Sequence, residues 1–152
     1  MSPTLRTATP ADASTIAGLT RELGYPAETA AIASRLARLL ARDDQLVLVA
    51  EHPPGDVVGW LQASTNEPLE SGFRAEIVGL VVSDRARRQG VGRQLVARAE
   101  QWAAARGAPA IVVRSNLKRV ESHAFYPALG YTSTKNQAVY RKALCGIKSA
   151  PG

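Results

Sequence analysis

The sequence predicts a single α/β domain in which about six to seven strands and about four helices alternate. Three features lead to it. Short β-favouring runs bounded by Gly, Pro, Asn and Asp alternate with longer runs whose apolar residues recur about every three to four positions. A chain of 152 residues suits one domain and is too short for two. The apolar run from Ala75 to Ser83 feeds into a basic, glycine-containing loop and then a long helix, so strand, loop and helix N-terminus meet at one junction.

Leu5 to Ala8 reads as a short first strand. Thr9-Pro10-Ala11-Asp12 reads as a helix start, with Thr9 at the N-cap and Pro10 at the first helical position, and the helix runs to about Leu23 before Gly24-Tyr25-Pro26 ends it. Ile32, Leu36, Leu39 and Leu40 then recur at helical spacing with Arg35, Arg38 and Arg42 turned away, which predicts a second, amphipathic helix. Leu46 to Glu51 and Val57 to Ser64 flank the turn-rich His52-Pro53-Pro54-Gly55-Asp56 and predict a hairpin. A polar stretch from Thr65 to Gly72 follows.

In the run from Ala75 to Ser83, residues Ile77, Val78, Leu80, Val81 and Val82 are apolar on both alternating faces, as in the middle of a covered sheet. Gly90 to Arg106 reads as a long helix that buries Val91, Leu95, Ala99 and Trp102 and is ended by Gly107 and Pro109. Ala110 to Arg114 is the next buried strand. A short helix from about Arg119 to Leu129 stops at Gly130, and Tyr131 to Thr134 and Ala138 to Ala143 supply two last strands around Lys135-Asn136-Gln137. The expected organisation is one domain over residues 1–146 and a flexible tail over residues 147–152.

Composition narrows the class. Apolar residues at 45% and charged residues at 21% match ordinary globular proteins, which argues against disorder and fibrous repeats. Met1 to Asp12 has no apolar core of a signal peptide, and apolar stretches such as Leu46 to Ala50 are far too short to span a bilayer, so neither targeting nor membrane anchoring is expected. Cys145 stands alone, excluding an intramolecular disulfide and fitting a reducing cytoplasm. The net charge of +6 points to a polyanionic partner, which can be nucleic acid, a membrane surface or a phosphorylated cofactor. The densest arginine group, Arg85, Arg87, Arg88 and Arg93, surrounds two glycines.

Strand, then Arg87-Arg88-Gln89-Gly90-Val91-Gly92, then helix is a phosphate-binding layout. Glycines let the backbone approach a ligand, and free N–H groups at a helix N-terminus attract anions. The spacing is neither the three-glycine dinucleotide fingerprint nor a P-loop, which needs Lys before Ser or Thr. Backbone N–H groups from Arg88 to Arg93, including those of Gln89 and Val91, are the leading phosphate ligands.

Arg87, Gly90 and Gly92 match the Gln/Arg-x-x-Gly-x-Gly/Ala loop of the GNAT superfamily of N-acetyltransferases, and the segment from Ser122 to Tyr131 also resembles that superfamily. With the element order, the resemblance covers nearly the whole chain. It implies a mixed central sheet whose splayed strands hold acetyl coenzyme A as cosubstrate, with no metal. Leu80, Val81 and Val82 fall where family members pair their backbone with the pantetheine arm, as an added strand would. Their side chains can be core residues at the same time.

Acetyl transfer from a thioester to an amine needs a neutral amine, stabilisation of the tetrahedral oxyanion and a proton for the departing thiolate. Glu76 lies eleven residues before Arg87, where one branch of the family places its general base. Strand alternation puts it on the face of Val78, Leu80 and Val82. Glu76 can equally pair with Arg74. A backbone N–H near Leu80 would serve the oxyanion. Tyr126 matches the family's general acid, and its phenol, with a reference pKa of about 10, remains a donor at neutral pH. The family's Asn seven residues before this Tyr is Arg119 here, so Asn116 becomes the candidate coenzyme contact. Tyr25, Trp60 and Tyr131 are candidates for the acceptor pocket or ordinary packing, and His123 for a base or a helix-surface residue.

The resemblance favours an acetyltransferase acting on a primary amine, with a small molecule as acceptor and a protein N-terminus or lysine as the alternative. A nonenzymatic acyl coenzyme A sensor would keep Gly90 and Gly92 without needing Glu76 or Tyr126. A nucleic-acid-binding module would need a helix-turn-helix, zinc-finger or RNA-binding motif, which does not accompany the arginines. The expectation is therefore a cytoplasmic enzyme, homodimeric, with no nucleic acid or membrane partner. Gly24 to Ala27, Thr65 to Gly72 and Lys135 to Gln137 are the loops placed to choose the acceptor.

Overall fold

The computed structural model describes residues 2–114 and 120–144, in two compact units, Met1–Arg114 and Ser115–Gly152. In the first unit the chain forms β1 (Thr4–Thr7), a 3₁₀ turn (Pro10–Asp12), α1 (Ala13–Glu22), α2 (Thr29–Leu40), β2 (Gln45–Glu51), β3 (Val57–Asn66) and β4 (Arg74–Val82). A second 3₁₀ turn (Asp84–Ala86), α3 (Val91–Ala105) and β5 (Ile111–Val113) complete it. The second unit holds α4 (Val120–Ala128).

The sheet runs in the order β1-β2-β3-β4-β5. Its first three pairings are antiparallel and β4–β5 is parallel. A parallel pair cannot be closed by a tight turn, so α3 supplies the crossover. One face packs on α1 and α2, through Ile16, Leu19, Leu36, Val47, Val49 and Val81. On the other face lies α3, whose Val91 and Leu95 approach Gly59 so closely that a Cβ there would stand 3.1 Å from Val91 Cγ1. Gly59 is glycine because the helix needs that room.

The first helix starts as its sequence predicts. Pro10 opens the turn, and the Thr9 N–H donates to Asp12 Oδ2 at 2.8 Å. The same carboxylate receives both Arg6 Nη1 and Nη2 at 2.8 Å, a bidentate pair that ties β1 to the entry of α1. Arg6 also reaches Glu51 on β2 at 3.5 Å. The Arg6 hydrogen bonds hold the Asp12 carboxyl below the usual carboxylate range, against the opposing cost of burial.

Four expectations change. The described residues form five strands, not six to seven, because residues 131–144 contain no strand. The hydroxyl-rich Tyr131 to Thr134 and the Arg141-Lys142 pair become strands only where a neighbour pairs their backbone, since β-propensity reflects fit to an adjacent pleated surface. The presumed polar stretch after β3 starts later, because Thr65 is buried within that strand and its N–H donates to the Asp44 carbonyl at 3.0 Å. The strand at Ile111–Val113 is short and half-buried rather than fully buried. Trp102 is not core: Ala103 takes the buried position, and Trp102 is half-buried with the Arg106 guanidinium 5.4 Å from its ring centre. A buried stripe at Val91, Leu95, Ala99 and Ala103 places the small alanines toward the sheet.

Removing the Asp12 charge tests this entry. Asp12→Asn loses the charge-assisted pair and should cost about 1–2 kcal/mol at neutral pH, discounted because the guanidinium is partly exposed. A depressed carboxyl stabilises the fold above its unfolded pKa and loses that contribution as pH falls through the folded value. Urea unfolding at pH 7 and pH 3 should therefore separate wild type from Asp12→Asn at pH 7 and bring them together toward pH 3.

Candidate active site

The site is built on β4, whose pairing with β3 carries an irregularity. Gln62 pairs with Gly79 and Ala63 with Ile77, so Val78 is an extra residue on β4 and is bulged out, half exposed. A bulge reverses the alternation of the strand that carries it. Beyond it, Gly79 and Val81 oppose Gln62 and Trp60 on the face toward α1 and α2, together with Ser64 and Glu76 before it. Leu80 and Val82 oppose Leu61 and Gly59 on the face toward α3. The expectation that Glu76 shares a face with Leu80 and Val82 is thus overturned, since plain alternation takes no account of the inserted residue.

The outer edge of β4 is only partly used. β5 pairs with Ala75, Glu76 and Ile77 and stops, leaving the backbone from Val78 to Val82 without a strand on that side among the described residues. Leu80, Val81 and Val82 lie along this open edge, Val81 with its side chain in the core. On the α1 and α2 face, Trp60 lies over Gly79, where a Cβ would come within 2.8 Å of Cη2, and Trp60 Nε1 donates to Thr20 Oγ1 at 3.2 Å. Trp60 is accordingly a packing residue, and Tyr25 is exposed on the loop after α1.

Beyond β4 the chain passes two helical starts in succession. The first, the 3₁₀ turn Asp84–Ala86, is fully capped: Ser83 Oγ accepts from the Arg85 N–H, and the Glu22 carboxylate accepts from the Asp84 N–H at 3.1 Å and from Ser83 Oγ at 3.1 Å. At the second, α3, Gly90 occupies the N-cap with φ 78° and offers no capping side chain. Gln94 is the first to donate back along the helix, to the Gly90 carbonyl at 3.0 Å, so Val91, Gly92 and Arg93 present their N–H groups forward. Arg88 is held at φ 65°, a left-handed conformation that costs a non-glycine residue about 1–2 kcal/mol and turns neighbouring amides to a common side.

The arginines divide by role. Arg85 is spent on structure, reaching Asp56 at 3.0 Å and Ser83 Oγ at 3.2 Å, and so ties the β2–β3 turn to the loop. Arg87 Nε lies 2.8 Å from Asp84. Arg88, Gln89 and Arg93 are exposed around the open helix end. This leaves the N-terminus of α3 as the positive end of the junction, where backbone dipoles and flanking guanidiniums favour an anion.

Glu76 is largely enclosed and engaged by two guanidiniums, Arg114 Nη1 at 2.6 Å and Arg74 Nη2 at 4.0 Å. Arg74 is the partner the sequence suggests; Arg114, the nearer, comes from the end of β5 and could not be identified before the parallel pairing was known. The network of Glu22, Ser83, Arg85 and Asp56 also escaped sequence reasoning, because its members lie far apart in the chain and follow no motif.

In the second unit Tyr126 is half-buried, its ring edge-on to Phe125 at 5.0 Å and to Tyr131 at 5.7 Å. Its carbonyl accepts from the Leu129 and Tyr131 N–H groups at 3.0 and 3.1 Å, which closes the end of α4 around Gly130 at φ 93°. Tyr131 therefore packs on the tyrosine rather than standing apart. Asn116, Arg119 and Cys145 lie outside the described residues, as does the side chain of His123. Among the described residues no group of three or more His, Cys, Asp or Glu is placed to hold a metal, and no helix is long and apolar enough to cross a membrane.

Comparison with known proteins gives a consistent result. The acetyltransferase (GNAT) family profile matches residues 14–131. An aminoglycoside N(6′)-acetyltransferase type 1 of Stenotrophomonas maltophilia is 29% identical over 146 residues, covering 93% of this chain and 94% of the relative. One of the same name from Klebsiella aerogenes is 36% identical over 101 residues, covering 64% of this chain and 66% of the relative. Among solved structures, the aminoglycoside N-acetyltransferase AAC(6′)-Iy, in complex with the bisubstrate analogue CoA-S-monomethyl-acetylneamine, superposes with a TM-score of 0.81 at 21% identity, covering 95% of this chain and 100% of that one.

Gly90→Asp tests the open helix end. Aspartate is among the few residues that tolerate a left-handed backbone, so the fold should persist while a negative charge occupies the anion position. Saturating coenzyme A, at about 100 times its dissociation constant, should stabilise wild type by about 2.7 kcal/mol and the variant by almost nothing. Thermal melts with and without coenzyme A provide the check.

Proposed function

Because the chain belongs to the acetyltransferase (GNAT) family, we propose that it transfers the acetyl group of acetyl coenzyme A to a primary amine of a small molecule, by direct attack within a ternary complex. The observation that carries this reading is the juxtaposition of a β4 edge, from Val78 to Val82, that no strand pairs among the described residues, with the uncapped N-terminus of α3 in the same unit. An extended amide-bearing arm followed by a pyrophosphate is the ligand whose two parts need those two features in that order. The amine of an aminoglycoside is the acceptor to test first, since both curated relatives carry that name.

In this reading the backbone of Leu80, Val81 and Val82 pairs with the pantetheine arm, and the N–H groups of Arg88, Gln89, Gly90, Val91, Gly92 and Arg93 receive the pyrophosphate. Arg87 contributes through its position and charge, since its guanidinium already meets Asp84. Asn116 is retained as a coenzyme contact. The amine nitrogen attacks the thioester carbonyl, an N–H near Leu80 stabilises the oxyanion, the C–S bond breaks, and Tyr126 donates its proton to the thiolate. Glu76 takes the proton the nitrogen releases. The bulge at Val78 supports the oxyanion role, because it re-aims the backbone just before Leu80. A cytoplasmic homodimer is the proposed form, resting on the family resemblance; sedimentation at two protein concentrations tests the dimer.

Two substitutions examine the proton steps. Glu76→Gln should lower kcat and flatten the acidic limb of the pH–rate profile while leaving coenzyme A affinity unchanged; a retained limb would reduce Glu76 to an ion-pair partner of Arg114. Tyr126→Phe keeps the edge-on ring contacts and deletes the donor, and should cut the single-turnover rate by roughly 10² to 10⁴. Wild-type single-turnover rates in that variant would remove Tyr126 from the chemistry.

A further inference from the structure

Glu22 is the last residue of α1, a position where a carboxylate meets the negative end of the helix dipole and is disfavoured. Its neighbour Arg21 follows the opposite rule and is favoured there. An unfavourable placement points to what the carboxylate does instead. Across 61 residues of sequence it accepts from the hydroxyl of Ser83, which is 1% exposed, with both oxygens within 3.3 Å. It also accepts from the Asp84 N–H at 3.1 Å. Ser83 Oγ in turn accepts from Arg85 Nη1 at 3.2 Å, and the Ser83 N–H donates to the Val58 carbonyl at 2.8 Å.

These contacts lie where β4 ends and the arginine loop begins. The loop passes two helical starts, a single 3₁₀ turn and then the 15-residue α3. Glu22 and Ser83 occupy the donors of the first with a carboxylate and a hydroxyl, so only the second, at Val91, Gly92 and Arg93, remains open. The same contacts fix the direction in which the chain leaves β4, four residues before Arg88 takes its left-handed conformation. Within the α1 end itself, Arg21 Nη1 donates to the Ala27 carbonyl at 2.7 Å, so this helical turn also braces the loop that follows it.

We infer that Glu22 is a positioning residue for the pyrophosphate of acetyl coenzyme A: through Ser83 and the Asp84 N–H it closes the first helical start and sets the loop so that the amides at the α3 N-terminus converge on the phosphates. It does not touch the reacting atoms. The inference rests on the acetyltransferase reading, and it adds a residue outside the loop that the loop motif does not contain.

The test separates the two ends of the cosubstrate. Glu22→Ala and Glu22→Gln are compared with wild type using acetyl coenzyme A and using acetyl-pantetheine, which carries the thioester and amide arm but no pyrophosphate. Glu22→Ala should raise the KM for acetyl coenzyme A about tenfold, the size of one lost charge-assisted hydrogen bond, with kcat within about twofold and the kinetics on acetyl-pantetheine unchanged. Glu22→Gln keeps one acceptor oxygen and should recover most of the loss. Equal losses on both donors would show a merely structural role and overturn the inference, as would unchanged kinetics on both. Wild-type protein that neither binds coenzyme A nor turns over either donor would instead sink the underlying function, so the two failures are distinguishable.

Discussion

A strand inside a sheet must satisfy its backbone on both edges, and β4 does so over only its first few residues. Beyond Ile77 its inner edge continues along β3 to Val82, while its outer edge has no strand among the described residues. Unpaired N–H and C=O groups in that position call for an extended partner. The bulge at Val78 falls at the same point and turns the backbone as the outer pairing ends. Where β5 stops therefore determines where the open edge of β4 begins.

The parallel pairing has a second consequence. Because β4 and β5 run in the same direction, the chain must leave the end of β4, cross the sheet as α3 and return. The N-terminus of α3 is thereby brought beside the end of the open edge, and the connecting loop is held there by contacts from other elements. Glu22 of α1 reaches it from one side and Asp56 of the β2–β3 turn, through Arg85, from another. At the opposite end of β4, Glu76 and Arg114 join β4 to β5 next to their last paired residues. Ion pairs and buried hydroxyls thus flank the open edge, and the apolar contacts of Val81 and Leu95 hold the layers on either side of it.

Much of this was legible in the chain itself. Thr9-Pro10 and Asp12 announced the first helix because capping is local chemistry, and Gly90 announced the loop-to-helix junction because a left-handed N-cap needs glycine. Long amphipathic runs marked α2 and α3. That the two expected last strands do not form was not legible, because Tyr131 to Thr134 and Ala138 to Ala143 have strand composition but their state depends on a neighbour. Trp102 misled for a related reason: periodicity located the buried stripe to within one position, and packing distance then chose Ala103.

What the sequence by itself determined is therefore the set of local events: where helices start, where glycines break or begin them, and which loop concentrates positive charge. These depend on backbone sterics and on neighbours within one helical turn. Tertiary structure alone decided that Val78 is the extra residue, which moved Leu80 and Val82 to the face opposite Glu76, and that Arg114 rather than Arg74 is the nearer partner of Glu76. It alone joined Glu22 to Ser83. A register and an ion pair between distant segments are properties of how two strands or a helix and a loop meet, and no periodicity along one chain segment encodes the residue waiting on the other.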